Sequence, residues 1–192
     1  MRSFRDFIRD TILKKLIDDV KDLRIFNEAD LQYRAAVHFD KEYYPDLYLT
    51  NQPVIPLGRA RGTVAAKPDI VIYHHKDGPK TAVELKCFLK YENCSVVHIT
   101  DTVWKDVDKL RKFRNRYENS KSAFAIVLVN LEKEPYEEIQ REFSRANLED
   151  WMNHYLFIHV LNVYCDESGR KRPWYNKWAE DMNEWKQYFK DE

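Results

Sequence analysis

Three charged residues, Asp69, Glu84 and Lys86, stand where strands normally keep apolar side chains. They belong to the stretch KPDIVIYHHKDGPKTAVELKCF, residues 67–88. Here two apolar runs flank an Asp-Gly pair, which is a strong indicator of a hairpin turn. Two carboxylates and one ammonium group beside the same hairpin are the residue types that hold a divalent cation and orient a water molecule. The stretch therefore predicts a polar site on a β-hairpin.

Strand alternation decides how these charges are arranged, because successive side chains point to opposite faces. With a two-residue turn, Asp69 lies opposite Lys86. Ile70 then lies opposite Leu85, and Glu84 shares a face with Asp69 and Lys86. The other face is the expected core face and carries Ile70, Ile72, Val83 and Leu85. A shift in pairing by two residues leaves this division unchanged, and opposed or diagonal neighbours lie roughly 5–8 Å apart.

Carboxylates at that separation repel each other, and a divalent cation such as Mg²⁺ relieves the repulsion. A nearby lysine can hold or deprotonate the water that attacks phosphorus. The arrangement thus suits phosphodiester hydrolysis. The alternative is structural: Glu84 and Lys86 form an exposed ion pair of little energetic value, and Asp69 simply opens its strand after Pro68.

The pair Pro68-Asp69 followed by Glu84-Leu85-Lys86 resembles the motif of the PD-(D/E)XK nucleases, the restriction-endonuclease-like superfamily. The resemblance implies an α-β-β-β-α-β core over about residues 27–130. It also implies that Asp69, Glu84 and the carbonyl of Leu85 bind Mg²⁺, for which Mn²⁺ can substitute, and that Lys86 orients the attacking water. The expected activity is metal-dependent cleavage of DNA, with RNA left open. A catalytically silent binding or assembly module of the same fold, or an accessory subunit of a larger nuclease or defence complex, is the alternative.

Members of this superfamily often add an acidic residue from the helix before the sheet, and Glu28 is the candidate here. Helical spacing places Glu28 in line with Leu31, Ala35 and Phe39, so its side chain is expected to point toward the sheet. Gln32 lies one turn further on the same side. The alternative is that Glu28 only complements the helix dipole after a cap at Asn27. Asp30 is a weaker candidate because it lies off the stripe.

Basic residues that could contact nucleic acid occur in the cluster RKRPW (170–174), which lies near aromatic residues, and in two further places. Arg59 and Arg61 belong to a glycine-flanked loop, GRARG, that can bind phosphate through guanidinium groups and backbone amides. Lys105 and Lys109 belong to the basic face of a predicted helix over 101–119, which acidic residues such as Asp106 dilute. An ordinary solvated surface is the alternative in all three places.

The remaining patterns predict an α/β protein with a central mixed sheet flanked by helices. We expect one domain over 1–192, with a helical extension over 1–22 and a helix-strand-helix extension over 134–192. The predicted helices are 4–22, 27–43, 101–119, 134–150 and one from Pro173, and the predicted strands are 47–58, 67–75, 81–88, 122–130 and 155–165.

Composition narrows the function classes. The 192 residues are 44% hydrophobic and carry 32 basic and 32 acidic side chains. The net charge is therefore zero and does not indicate a nucleic-acid-binding protein. The four glycines form no phosphate-binding loop or dinucleotide fingerprint. An odd number of cysteines, three, with no CxxC pair, together with a charged N-terminus, predicts a cytoplasmic protein without membrane association. The C-terminal aromatic helix covers the core, or contacts a second copy or a partner protein; its apolar stripe is Trp178, Met182, Trp185 and Phe189.

Overall fold

The computed structural model describes most of the chain, in six segments: residues 4–42, 68–74, 78–89, 95–116, 122–154 and 156–188. The N-terminal helical region is continuous through three parts: α1 (Phe4–Phe7), a π-helical segment (Ile8–Ile12) and α2 (Leu13–Lys21). The other helices are α3 (Glu28–Glu42), α4 (Val96–Arg116), α5 (Lys133–His154) and α6 (Tyr175–Tyr188). The strands are β1 (Ile70–His74), β2 (Gly78–Phe88), β3 (Ser122–Val129) and β4 (Leu156–Asn162).

The four strands form one mixed sheet in the order β1-β2-β3-β4. β1 is antiparallel to β2, whereas β2, β3 and β4 are parallel to one another. The parallel strands need crossover connections, which α4 and α5 supply between β2 and β3 and between β3 and β4. The predicted mixed α/β class with a helix-flanked sheet is confirmed.

Each face of the sheet carries its own hydrophobic cluster. One cluster joins the N-terminal helices, α3 and α6 to the face of β2 that bears Val83 and Leu85. The other joins α4 and α5 to the opposite face, which bears Val71 and Ala82. β3 is apolar from Ala123 to Val129 and contributes to both clusters, because its alternate residues face opposite sides. The core face predicted for the hairpin is confirmed, since Ile70, Ile72, Val83 and Leu85 all lie in the first cluster.

The hairpin register differs from the two-residue-turn prediction by two residues. Ile70 pairs with Val83 rather than with Leu85, and the pairing shifts by one position between Ile72 and Tyr73. The predicted opposition of Asp69 and Lys86 is therefore wrong. Because a slip of two residues preserves the faces, the division into an apolar and a charged face holds.

The capping residue of α3 was predicted from the sequence, whereas that of α4 was not. Asn27 caps α3 as predicted, since its Oδ1 accepts a hydrogen bond from the Asp30 amide at 3.0 Å. The Asp30 carboxylate in turn accepts from the Phe26 amide at 3.0 Å, which gives it a structural role. Helix α4 begins five residues before the predicted 101, and Ser95 is its capping residue, because Ser95 Oγ accepts from the His98 amide.

Several predicted features lie outside the described residues or differ from them in extent. The predicted strand 47–58, which is the first strand of the expected α-β-β-β-α-β core, falls outside. The strand predicted over 155–165 ends earlier, at Asn162, and the last helix begins at Tyr175. In that helix Trp178 and Met182 are buried against the first cluster. No helix in the part of the chain that the structure describes is long and apolar enough to cross a membrane.

Candidate functional site

Asp69 is held at the start of β1 by two hydrogen bonds that use both of its carboxylate oxygens. Oδ2 accepts from the backbone amide of Leu85 at 2.8 Å. Oδ1 accepts from the side-chain amide of Gln32 at 3.0 Å. The first bond crosses from β1 to β2 one step beyond the last paired residue, Ile70. Asp69 is thus fixed beside the Glu-Leu-Lys segment, and the structure brings the two parts of the sequence motif together.

Glu84 lies in the interior of β2 and is 1% exposed. Its Oε2 lies 3.4 Å from the Nζ of Lys109 on α4. Its Oε1 is also buried, and it accepts no hydrogen bond from the residues that the structure describes. A buried carboxylate oxygen without a donor is costly, and Oδ2 of Asp106 shares this condition with Oε1 of Glu84 among the described residues.

Lys86 joins three elements through its ammonium group. Nζ donates to Oε1 of Glu28, on the first turn of α3, at 2.9 Å, and it lies 3.4 Å from Oδ2 of Asp106 on α4. Glu28 therefore points toward the sheet and reaches the hairpin, although α3 packs mainly against the first cluster. The exposed-ion-pair alternative required Lys86 to lie on a solvated face, whereas its side chain is only 19% exposed.

Asp106 is the acidic residue of this cluster that the sequence interpretation missed. It is 4% exposed and contacts both lysines, through Oδ2 to Lys86 and through Oδ1 to Lys109. The sequence pattern assigns it instead to a basic helix face that acidic residues dilute. The missed signal is its spacing, since Asp106 lies within the buried stripe of α4 formed by Ile99, Val103, Val107, Leu110 and Phe113.

Burial and the neighbouring charges alter the acidity of both hairpin carboxylates. Burial, together with the negative charge of Asp69, raises the pKa of Glu84 to about 9. Burial also raises the pKa of Asp69, although the Leu85 amide and the positive charge of Lys86 oppose the rise. At neutral pH Glu84 therefore holds a proton unless a positive charge is added beside it.

The pKa values of Lys86 and Lys109 are both raised, although burial alone would lower them. Burial acts to lower the pKa of Lys86, but the hydrogen bond to Glu28 and the charge of Asp106 outweigh it, so this pKa is raised. Burial likewise acts to lower the pKa of Lys109, and the contact with Asp106 and the charge of Glu84 raise it overall. Both side chains are consequently ammonium ions at neutral pH, which makes Lys86 a hydrogen-bond donor rather than a base.

The fit of these residues to a divalent cation depends on Glu84. Within the described residues no three His, Cys, Asp or Glu side chains are positioned to hold a metal ion together. The set implied by the resemblance is smaller, with the carboxylates of Asp69 and Glu84 and one main-chain carbonyl, that of Leu85. The unused Oε1 of Glu84 and the raised pKa of both acids are what a hard cation would correct. Carboxylate and carbonyl oxygens are the ligand type that Mg²⁺ and Mn²⁺ prefer.

The candidate nucleic-acid contacts separate into three groups. Gln32 and Lys109 lie in the carboxylate cluster, bonded to Asp69 and beside Glu84, rather than on an open surface. Lys105 is exposed on α4 and remains free to contact a ligand from solvent. Arg59 and Arg61 lie outside the described residues.

Comparison with known proteins identifies no relative: no family model, curated protein or solved structure matches this chain.

Proposed function

We propose that this protein is a Mg²⁺-dependent nuclease that hydrolyses phosphodiester bonds, with DNA as the expected substrate, and that its fold belongs to the PD-(D/E)XK class. The single observation that supports the proposal best is Glu84. This carboxylate is buried, one of its oxygens accepts no hydrogen bond from the described residues, and its pKa is raised to about 9 beside a second carboxylate. Such perturbed acids mark functional sites more often than structural ones.

In this proposal the hairpin carboxylates act as ligands and their neighbours keep them in place. Asp69 is oriented by Gln32 and by the Leu85 amide, which leaves the other lone pairs of its oxygens for a cation. Glu84 offers Oε1. A bound Mg²⁺ supplies positive charge that stabilises the charge developing on the phosphoryl oxygens.

Lys86 supplies a positive charge and a hydrogen-bond donor beside these ligands. Because its pKa is raised, it orients the attacking water by donating to it instead of removing its proton. Glu28, hydrogen-bonded to Lys86 and 39% exposed, is the carboxylate available to accept a proton at this position. In this proposal Lys86 orients the water and Glu28 accepts the proton, so Lys86 does not act as the base.

The test is cleavage of linear, circular, single-stranded and branched DNA, and of RNA, with and without Mg²⁺ or Mn²⁺. Asp69→Asn and Glu84→Gln keep side-chain size and remove one negative charge each, and we expect both to abolish metal-dependent cleavage. The matched control is Glu137→Gln, because Glu137 is a half-exposed carboxylate on α5. Cleavage at the wild-type rate in both hairpin variants would overturn the assignment.

A second candidate function, a catalytically silent binding module, is favoured by one observation. The ammonium groups of Lys86 and Lys109 already contact three carboxylates, those of Glu28, Asp106 and Glu84, so much of the cluster is neutralised without a cation. A silent module predicts DNA or protein binding that is insensitive to Mg²⁺ and to Glu84→Gln, with no cleavage of any substrate.

A further inference from the structure

Lys109 contacts Glu84 at Oε2, the oxygen next to the Oε1 that the proposed function offers to a cation. Its Nζ lies 3.4 Å from Oε2 of Glu84 and also contacts Oδ1 of Asp106, which lies three residues earlier on α4. The lysine side chain is 40% exposed, whereas both acids are almost fully buried. A partly solvated ammonium group thus enters from the helix and contacts two buried acids.

We propose that Lys109 is an internal counter-ion that a divalent cation displaces from Glu84, and that Asp106 is the positioning residue that retains the displaced ammonium group. This inference rests on the proposed function, since it concerns the same cation site. It assigns a role to two residues of α4 that the hairpin motif does not contain.

Competition follows from charge and from the small number of free oxygens. An ammonium ion and a divalent cation both require the carboxylate of Glu84, and they repel each other strongly at separations of a few ångströms in a partly buried site. Binding of the cation must therefore break the contact between Lys109 and Glu84 or bear that repulsion. Either way Lys109 weakens cation binding.

Asp106 makes the displacement feasible. Lys109 remains paired with Asp106 after it leaves Glu84, because that contact lies within one helix and does not depend on the sheet. The exposed part of the lysine can then move toward solvent, so no buried ammonium is left unpaired. The freed Nζ is also placed at the rim of the site, where it can meet a substrate phosphate.

Lys86 provides the internal comparison. It carries the same charge in the same cluster, yet it bonds to Glu28 and contacts Asp106 rather than Glu84. Direct competition therefore predicts a large effect of Lys109 on cation affinity and a smaller one of Lys86. A general effect of positive charge predicts similar effects for both.

The experiment measures Mn²⁺ affinity by titration calorimetry without nucleic acid. Lys109→Met removes the charge but keeps the aliphatic stem, and we expect its Kd for Mn²⁺ to fall by about tenfold relative to wild type. Lys109→Arg keeps the charge and should bind as weakly as wild type. Lys105→Met is the matched control on the exposed side of α4 and should leave the Kd unchanged.

Measurements at about 0.05 M and about 0.5 M salt separate direct contact from long-range charge, because salt screens only the latter effectively. An equal gain in Lys86→Met, or a gain in Lys109→Met that disappears at high salt, would overturn the counter-ion role. Circular dichroism checks folding, and Lys109→Gln replaces the methionine variant if that variant is unfolded.

Failure of this inference differs from failure of the proposed function. If wild type binds Mn²⁺, Glu84→Gln does not, and Lys109→Met binds as wild type does, only the counter-ion role is wrong. If wild type, Lys109→Met and Glu84→Gln all fail to bind Mn²⁺, the metal-dependent nuclease is overturned and the inference with it.

Discussion

Glu84 and Asn162 are two polar side chains that the fold buries to the same extent, 1% exposed each, and they are treated in opposite ways. Asn162 ends β4, and all its hydrogen-bonding capacity is used locally. Its Nδ2 donates to the Leu131 carbonyl at 2.8 Å and to Cys165 Sγ at 2.9 Å. Its Oδ1 accepts from the amides of Leu131 and Tyr164 at 3.1 and 3.2 Å.

Asn162 is a buried polar group that stabilises the fold, whereas Glu84 is a buried polar group that the fold tolerates. The Asn162 network ties the end of β4 to the loop that follows β3 and needs nothing else. Glu84 keeps one oxygen without a donor from the described residues and sits between Asp69 and two lysines. Buried polar groups are normally satisfied, so an exception calls for a role that the fold alone does not give it. We infer that removing Asn162 harms stability, whereas altering the Glu84 cluster harms function.

A large effect on the cleavage rate is expected at Lys86, which belongs to the Glu84 cluster. Lys86→Ala removes the donor that orients water, and the cleavage rate should fall by roughly 10²–10⁴-fold, the usual range for a positioned acid–base group. The measurement is the single-turnover cleavage rate alongside the Kd for Mn²⁺, which should show that the metal still binds.

Lys86→Arg tests the same residue with its charge retained. Guanidinium is wider than ammonium and should not restore the rate. A Lys86→Ala variant that binds Mn²⁺ and cuts at the wild-type rate would remove Lys86 from the mechanism and leave only its ion pairs with Glu28 and Asp106.

The next effect is expected at Asn162, on the structural side. Asn162→Ala leaves the buried amides and carbonyl of the Leu131 and Tyr164 segment without partners, and the free energy of unfolding should fall by about 2–3 kcal/mol. Urea unfolding measures this loss. Cleavage per folded molecule should be unchanged, and a rate that collapses in a folded Asn162→Ala protein would contradict the division between the two sites.

The smallest effect is a pH dependence of stability at Glu84. Its pKa is about 9 in the native state against 4.5 as the ordinary value. The native state therefore keeps a proton that the unfolded chain releases, and the free energy of unfolding falls as pH rises from about 4.5 toward 9. Glu84→Gln removes this dependence and should be more stable than wild type near neutral pH, without metal.

Urea titrations from about pH 5 to about pH 8 in the presence of a chelator give the measurement. Glu137→Gln, at the half-exposed surface of α5, should keep the wild-type slope. Equal slopes in wild type and Glu84→Gln would show that Glu84 is ionised in the apo protein and that the lysines suffice to neutralise it.

Patterns of the sequence predicted the hairpin faces because alternation is a local property. Asp69, Glu84 and Lys86 could be assigned to one face from spacing alone, and Glu28 to the sheet side of α3 from helical periodicity. The strand register could not be predicted, because it depends on the turn and on the shift between Ile72 and Tyr73. A slip of two residues leaves the alternation of side chains unchanged, so the sequence pattern does not reveal it.

Asp106 was missed for a different physical reason. Charge on a helix is usually solvated, so an aspartate among basic residues was interpreted as surface. Its burial requires Lys86 and Lys109 to converge on it from two elements, and that convergence is tertiary. The start of α4 was likewise hidden, because Ser95 is followed by β-branched residues that favour strands.

The hydrogen bond that Asp69 accepts from the Leu85 amide fixes the register between β1 and β2. Pairing of Ile70 with Val83 or with Leu85 would keep every side chain on the same face, so burial alone does not choose between them. Only the observed pairing sets the Asp69 carboxylate against the Leu85 N–H, and a hydrogen bond to a charged acceptor contributes about 1.5–3 kcal/mol. The residue proposed to bind the cation thus also fixes the alignment of the strands that carry the other ligands.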